Sequence, residues 1–302
     1  MRKILFSCTA LVGLLVISAL LAAEQRTLYE TSSVYNKRIV VTEGPPGVRT
    51  LWFEEGGSRQ STVKKDDPDY LELRYTRAMP IGLAVRAGDD QTRAPANDVL
   101  IIGLGGGTIP RFLHEHFPKM MIDIVDIDPK VVDVARRFFW FRENQQVHVH
   151  VADGRDFIQK QIARGKRYHI IFLDAFGPDE IPRSLTTCEF LQSVRTAISD
   201  DGIVVANVWD RYSNSDYDSM IRTYQHVFAD LYIVDVHGTG NEIVIALPHL
   251  RNLSRAVMVR RARDVSRRYR FPYDMAELVR DGFRVPGGDG KVGHILRDVE
   301  QE

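Results

Sequence analysis

Ile101-Ile102-Gly103-Leu104-Gly105-Gly106-Gly107-Thr108 is the stretch that decides the fold. Val99 to Leu104 is continuously apolar, the pattern of a strand buried on both faces. It runs into clustered glycines and then into helix-like spacing from Ile109 to Phe117. Glycines at such a strand-to-helix turn let backbone approach a ligand closely. A dinucleotide fingerprint needs a sixth-position glycine where Thr108 stands, which argues against a nicotinamide cofactor. Tight turns of this kind also serve packing alone, so the neighbouring strands have to decide.

Outward from this turn, strands and helices alternate. Further apolar runs lie at Ile122 to Ile127, Val147 to Val151, His169 to Leu173 and Ile203 to Val208. Helices are expected near Pro129 to Phe139, Asp156 to Arg164, Thr187 to Ile198 and Ser215 to Phe228. Pro129 suits a first helical turn, with Asp128 as its N-cap. Leu231 to Val236 and Glu242 to Leu247 flank Gly238-Thr239-Gly240-Asn241, which reads as an antiparallel hairpin. The expected fold is therefore α/β: a Rossmann-like domain over 98–250, its sheet mostly parallel with an antiparallel edge hairpin. Before it, 28–85 reads as short strands and turns forming a small antiparallel β unit, with helix-like spacing only at Asp66 to Arg77. Arg86 to Asn97 reads as a polar linker, and 251–302 as an Arg-rich tail whose charges form a solvated helix face.

Acids close three of these strands. Asp126 ends the second strand of the domain, placed to accept both hydroxyls of a ribose. Asp153 ends the third, placed to accept from an adenine amino group, and Asp174 ends the fourth. One acid at a strand end means little. Three at the carboxyl edge, where open α/β sheets bind ligands, point to a nucleoside.

The composition bounds the alternatives. The chain has 302 residues, with 40 Lys and Arg against 40 Asp and Glu, which argues against a dedicated nucleic-acid binder. Its two cysteines, Cys8 and Cys188, exclude a disulfide framework and a cysteine-rich zinc site. His148 and His150 share a strand face but nothing nearby completes a metal site, so no metal is expected. Arg2 and Lys3 precede an apolar stretch from Ile4 to Ala22, so 1–25 reads as a cleaved signal peptide or a retained signal anchor. Either places the body outside the cytoplasm, exported or membrane-anchored.

The pattern Gly103-x-Gly105-x-Gly107 resembles the first motif of AdoMet-dependent transferases. From about Ser33 to Leu247 the chain resembles the spermidine synthase (polyamine aminopropyltransferase) family. Gly103 to Arg111 aligns with its Gly-Gly-Gly-Asp-Gly-Gly-x-x-Arg motif, Val125 to Asp128 with Val-Glu-Ile-Asp, and Asp153-Gly154 with Asp-Gly. Ser33 to Asn36, Gln60-Ser61 and Tyr70-Leu71-Glu72 match Ser-x-x-Gln, Gln-Ser/Thr and Tyr-His-Glu, with Asn36 and Leu71 departing. The resemblance implies that Gly103, Gly105, Gly107, Asp126, Asp153, Asn36 and Gln60 bind the donor. It implies further that Tyr70 and Glu72 bind the acceptor and that Asp174 is the general base. The donor implied is decarboxylated AdoMet or AdoMet, the partner a small-molecule amine. A homodimer is compatible with it.

Two departures bear on the reaction. Gly106 stands where the family has an Asp that holds the donor's amino end, and Ala175-Phe176-Gly177 removes a second carboxylate from the loop after Asp174. Each lost close contact to a cationic substrate costs ~1.5–3 kcal/mol. Glycine also removes a charge that would repel the carboxylate of intact AdoMet. Aminopropyl transfer to a polyamine is the family's default, with two rivals. One is AdoMet-dependent methyl transfer; the other is a non-catalytic nucleoside-binding or scaffold protein.

Overall fold

The computed structural model describes residues 25–54, 57–87, 96–176, 181–287 and 292–298. The expected signal or anchor over 1–25 lies almost wholly outside them, as does most of the expected linker. Among the described residues no helix is long and apolar enough to cross a membrane.

The N-terminal unit is a four-stranded antiparallel sheet in the order β1 (Arg26–Thr31), β2 (Ile39–Gly44), β3 (Val48–Trp52), β4 (Arg59–Lys64). Its strands alternate, so one face is apolar. Ile39, Val41, Leu51, Phe53 and Val63 are buried on that face against Val131, Val134 and Phe139 of the following domain. At ~1.5–3 kcal/mol per buried side chain, this contact fastens the small sheet to α4 (Pro129–Phe138) of the large domain.

Two helices follow: α1 (Arg74–Ala78), within the stretch of helix-like spacing, and α2 (Ile81–Ala87), where strands and turns were expected. Helical structure starts later than the spacing from Asp66 suggests, because 65–73 are turns and single bridges. Pro80 separates the two helices, since its ring and missing N–H interrupt a helix. α2 then buries Ile81, Leu83, Ala84 and Val85 on the large sheet. Gly82 allows that approach, because a Cβ there would meet Val205 Cγ2 at 2.4 Å. Arg86, expected in a polar linker, is instead helical, with a side chain 2% exposed and paired to Asp201 at 3.1 Å.

The large sheet has eight strands. Its parallel core comprises β5 (Asp98–Ile102), β6 (Met121–Asp126), β7 (Val147–Val151), β8 (Tyr168–Leu173) and β9 (Ile198–Trp209). The hairpin strands β10 (Asp230–Val236) and β11 (Asn241–Leu247) pair antiparallel as expected, and β12 (Phe283–Arg284) adds outside β10. The order is β12-β10-β11-β9-β8-β5-β6-β7, so β11 lies antiparallel between β9 and β10. Alternate residues of β5 feed opposite core layers: Val99 and Ile101 one, Leu100 and Ile102 the other.

Five helices connect the parallel strands and the hairpin: α3 (Thr108–His116), α4 (Pro129–Phe138), α5 (Gly154–Ala163), α6 (Cys188–Ala197) and α7 (Tyr217–Val227). Each lies within two residues of its expected bounds. The C-terminal region adds α8 (Arg255–Arg268) and α9 (Met275–Gly282). Met258, Ala262, Val265, Met275 and Val279 bury one side of this pair in the core, while Arg255, Arg260, Arg267 and Arg268 face solvent.

From β5 the chain steps outward to β6 and β7, then returns to place β8 on the other side of β5. Such a reversal opens a crevice at the carboxyl ends of the strands, and ligands bind there.

Candidate active site

The crevice holds a cavity of about 280 Å³ lined by 23 of the described residues. The glycine turn forms its floor. Gly103 has φ +100°, donates its N–H to Val125 O at 2.8 Å, and lies back to back with the loop after β8. Asp174 N in turn donates to Ile102 O at 2.9 Å, extending the β5–β8 pairing past the strand ends. A Cβ on Gly103 would meet the Asp174 carbonyl oxygen at 2.2 Å. Glycine is therefore what lets the two loops touch.

Asp126 holds this floor from β6. Its Oδ2 accepts from Leu104 N at 2.9 Å and its Oδ1 from Asp128 N at 2.9 Å. Burial pushes its carboxyl up to about 6 against the pull of those amides. Each oxygen keeps a lone pair for a ribose hydroxyl. Asp153 caps α5 through Oδ1 alone, accepting from Arg155 N at 2.8 Å and Asp156 N at 3.1 Å. That leaves Oδ2 for a ligand donor.

Asp174 sits opposite. Asn207 Nδ2 donates to its Oδ1 at 3.0 Å from β9, and the Tyr75 hydroxyl of α1, which donates to Gln60 O at 3.4 Å, stands beside it. Burial nevertheless dominates and pushes its carboxyl up to about 7, while burial and this carboxylate together drive the Tyr75 hydroxyl upward. A buried carboxylate titrating near neutrality and, among the described residues, flanked by neutral donors is suited to accept a proton.

The cavity brings together Asp126, Asp153, Asp174, Gly103, Gly105, Asn36 and Gln60. Asn36 is committed to the fold as well: its Nδ2 donates to Asp128 Oδ2 at 2.8 Å, beside the Ser33 hydroxyl at 2.5 Å. Asp128 is thus the N-cap expected, holding Lys130 N at 2.8 Å and the β1–β2 connection together.

Three expected site residues lie outside the lining. Gly107, at φ +77°, heads α3, and a Cβ there would meet the Phe141 ring at 2.5 Å, so it serves packing. Tyr70 and Glu72 follow the turn after β4 and pair with each other, the Tyr70 hydroxyl donating to Glu72 Oε2 at 2.7 Å. Arg59 adds an ion pair to Glu72, so that carboxylate already has a cation. Burial first and Glu72 second push the Tyr70 hydroxyl up to about 12.

Gly106 is also outside the lining. A Cβ there would meet Phe139 Cδ1 at 2.7 Å and Ser61 Cβ at 3.0 Å, and Gly106 N donates to Ser61 Oγ at 2.8 Å. The space a side chain at 106 would enter is occupied by the N-terminal sheet and the end of α4.

Tyr75, Asn207 and Ser61 were not singled out from the sequence as site residues. Asn207 did leave a trace there, as the lone amide in an otherwise apolar strand close to its carboxyl end. Tyr75 left none. At the rim, Phe176 stacks on Trp209 with centroids 5.5 Å apart. Among the described residues no cluster of three or more His, Cys, Asp or Glu side chains could hold a metal.

Residues 90–236 match the spermine/spermidine synthase domain model. A polyamine aminopropyltransferase of Vibrio vulnificus (strain CMCP6) is 31% identical over 244 residues, covering 80% of this chain and 76% of the relative. The eEF1A lysine and N-terminal methyltransferase of Bos taurus is 32% identical over 208 residues. The match takes in 63% of this chain but only 30% of that relative's length. Among solved structures, human methyltransferase-like protein 13 in complex with SAH is 30% identical with a TM-score of 0.61. It covers 67% of this chain and 94% of its own. Fold and comparisons together define an AdoMet-related transferase. Within that class, the chain belongs to the spermine/spermidine synthase family.

If the cavity takes an adenosyl group, ribose hydroxyls donating to Asp126 stabilise its ionised form and lower its pKa below about 6. Donor binding near pH 6 then releases a proton, and affinity rises with pH up to that point before levelling. Titration calorimetry in two buffers of different ionisation enthalpy reads this directly. Equal heats in both buffers would remove Asp126 from the ribose.

Proposed function

We propose that this protein transfers an aminopropyl group from decarboxylated AdoMet to a polyamine-type amine. The observation that carries the proposal is Asp174. It is a buried carboxylate pushed up to about 7, held by Asn207 beside Tyr75, and it shares one cavity with the acids suited to a nucleoside.

The chemistry asked of the protein is modest, because a sulfonium is already an activated leaving group. Asp126 and Asp153 would hold the ribose and adenine, fixing the sulfur over the glycine turn. Asp174 would hold the acceptor amine in line with the carbon beside the sulfur, an alignment worth several orders of magnitude in rate. The nitrogen lone pair forms the new C–N bond as the C–S bond breaks. The bonding pair goes to sulfur, leaving a neutral thioether, and the proton lost by nitrogen passes to Asp174.

A second reading, methyl transfer from intact AdoMet, is favoured by Gly106. With Phe139 and Ser61 filling the side-chain direction at 106, no acid there meets the donor's amino end or repels its carboxylate. The methyltransferase relatives agree with this reading, although the chain spans less than a third of the Bos taurus protein. The apolar stretch from Ile4 to Ala22 behind Arg2 and Lys3 supports export or anchoring of the domain.

Calorimetry with AdoMet, decarboxylated AdoMet and methylthioadenosine, followed by mass analysis of an amine incubated with each donor, decides between the readings. Tighter binding of the decarboxylated donor and an aminopropylated product are expected. A preference for AdoMet with a methylated product would replace this reading by the second. Binding of none of the three would leave neither.

A further inference from the structure

The amide of Asn207 is polar at both ends, and it aids Asp174 as a base only while its NH2 faces the carboxylate. Its Nδ2 donates to Asp174 Oδ1 at 3.0 Å, and its Oδ1 accepts from Asn241 Nδ2 at 3.0 Å. Asn207 is 4% exposed, so water is a poor substitute for either partner. Asn241 opens β11, the antiparallel strand beside β9, and pairs with Trp209. Asn207 pairs with Ile243, so the two amides are diagonal neighbours on one face of the sheet. Asn241 N also donates to Thr239 Oγ1 at 3.2 Å, fixing the start of the strand at the hairpin turn.

We propose that Asn241 is a positioning residue for the transfer reaction: it anchors the carbonyl of Asn207, so that Asn207 presents a hydrogen-bond donor to Asp174 and keeps it in its base form. The proposal rests on the reading of Asp174 as the base. To turn its carbonyl toward Asp174, Asn207 has to take Asn241 round with it, because two NH2 groups would otherwise face each other. A carbonyl facing Asp174 suits only the protonated acid, since it can accept from a carboxyl O–H but repels a carboxylate. Without Asn241 that rotation is free, and the protonated acid gains a partner that the wild-type arrangement denies it. The donor bond from Asn207 is also strengthened while its carbonyl accepts from Asn241.

The other groups around Asp174 do not duplicate this control. Tyr75 faces it from α1 and is driven toward its neutral form. The Gly103 backbone lies beneath it, and Asp126 and Asp153 line the same cavity from β6 and the turn after β7. Among the described residues no basic side chain contributes to its environment.

The test is Asn241→Leu, read as a pH–rate profile and as a carbon NMR titration of the Asp174 carboxyl in the protein without donor. Asp174→Asn assigns the resonance. The rate midpoint and the carboxyl titration are both expected to move to higher pH. Activity at neutral pH should fall roughly three- to tenfold and recover at high pH. General damage to the fold would instead lower the rate at every pH. Asn241→Ser, which keeps a donor, should reverse part of the shift, and Asn241→Ala replaces the leucine variant if that does not fold. An unmoved carboxyl titration overturns the inference. A wild-type protein that turns over no donor, but whose titration does move on substitution, removes the transfer reading and leaves the Asn241–Asn207–Asp174 coupling standing.

Discussion

Asp174→Asn is expected to lower turnover by ~100- to 10,000-fold while leaving donor affinity within a few-fold of wild type. The substitution keeps the size of the side chain and its place at the end of β8, but it removes the group that takes the amine's proton. Because Asp174 titrates at about 7, wild-type activity should rise with pH through that value, and the residual activity of the variant should not. The same substitution should stabilise the fold at neutral pH. A carboxyl raised from an unfolded value near 3.8 to about 7 holds its proton longer in the native state. Stability therefore falls as pH rises between those values, and asparagine has no charge to bury. A denaturant midpoint higher for the variant at pH 8 than for wild type, with no difference at pH 3, is the signature. A variant with unchanged rate, or one destabilised at pH 8, would remove Asp174 from its role.

Gly103→Ala carries the second large effect, this time on the fold. At φ +100° an alanine is strained, and its Cβ would stand 2.2 Å from the Asp174 carbonyl oxygen and 3.1 Å from Ala175 Cα. Both neighbours are backbone, so no side-chain rotation relieves the clash. Strain and overpacking together predict a loss of roughly 2–5 kcal/mol, read as a lowered denaturant midpoint, with donor binding lost alongside it. Gly47→Ala makes a useful comparison. Its φ is +83°, but nothing lies within 4 Å of the added carbon, so strain alone should cost it less. Equal losses at the two positions would show that contact between the β5 and β8 loops contributes nothing.

Much of this molecule was legible along the chain. Apolar runs marked most of β5 to β11, because strands covered on both faces favour unbroken hydrophobicity, whereas the edge strand β7 alternates Val with His. The helices between them were marked by periodicity and by caps such as Asp128. α2 was missed, since seven residues are too few to show a period, and its helix is held by burial of Ile81, Leu83 and Val85 on the sheet. Arg86 read as polar linker, because only the fold supplies Asp201. Tyr70 and Glu72 read as site residues from their motif, but the turn after β4 carries them to an ion pair with Arg59.

The string of residues alone determined the glycine turn and the three aspartates at strand ends. Each of these is local: a strand, its last residue and the turn after it are contiguous, and their chemistry survives translation into space unchanged. What surrounds Asp174 was decided only by folding. Tyr75, Asn207 and Asn241 come from a short helix and two strands far apart in the chain. They meet because β11 inserts beside β9 and because the short helix α1 packs on the β10–β11 hairpin. Burial by those neighbours, more than any nearby charge, moves the carboxyl toward neutrality, and burial is a property of the packed molecule.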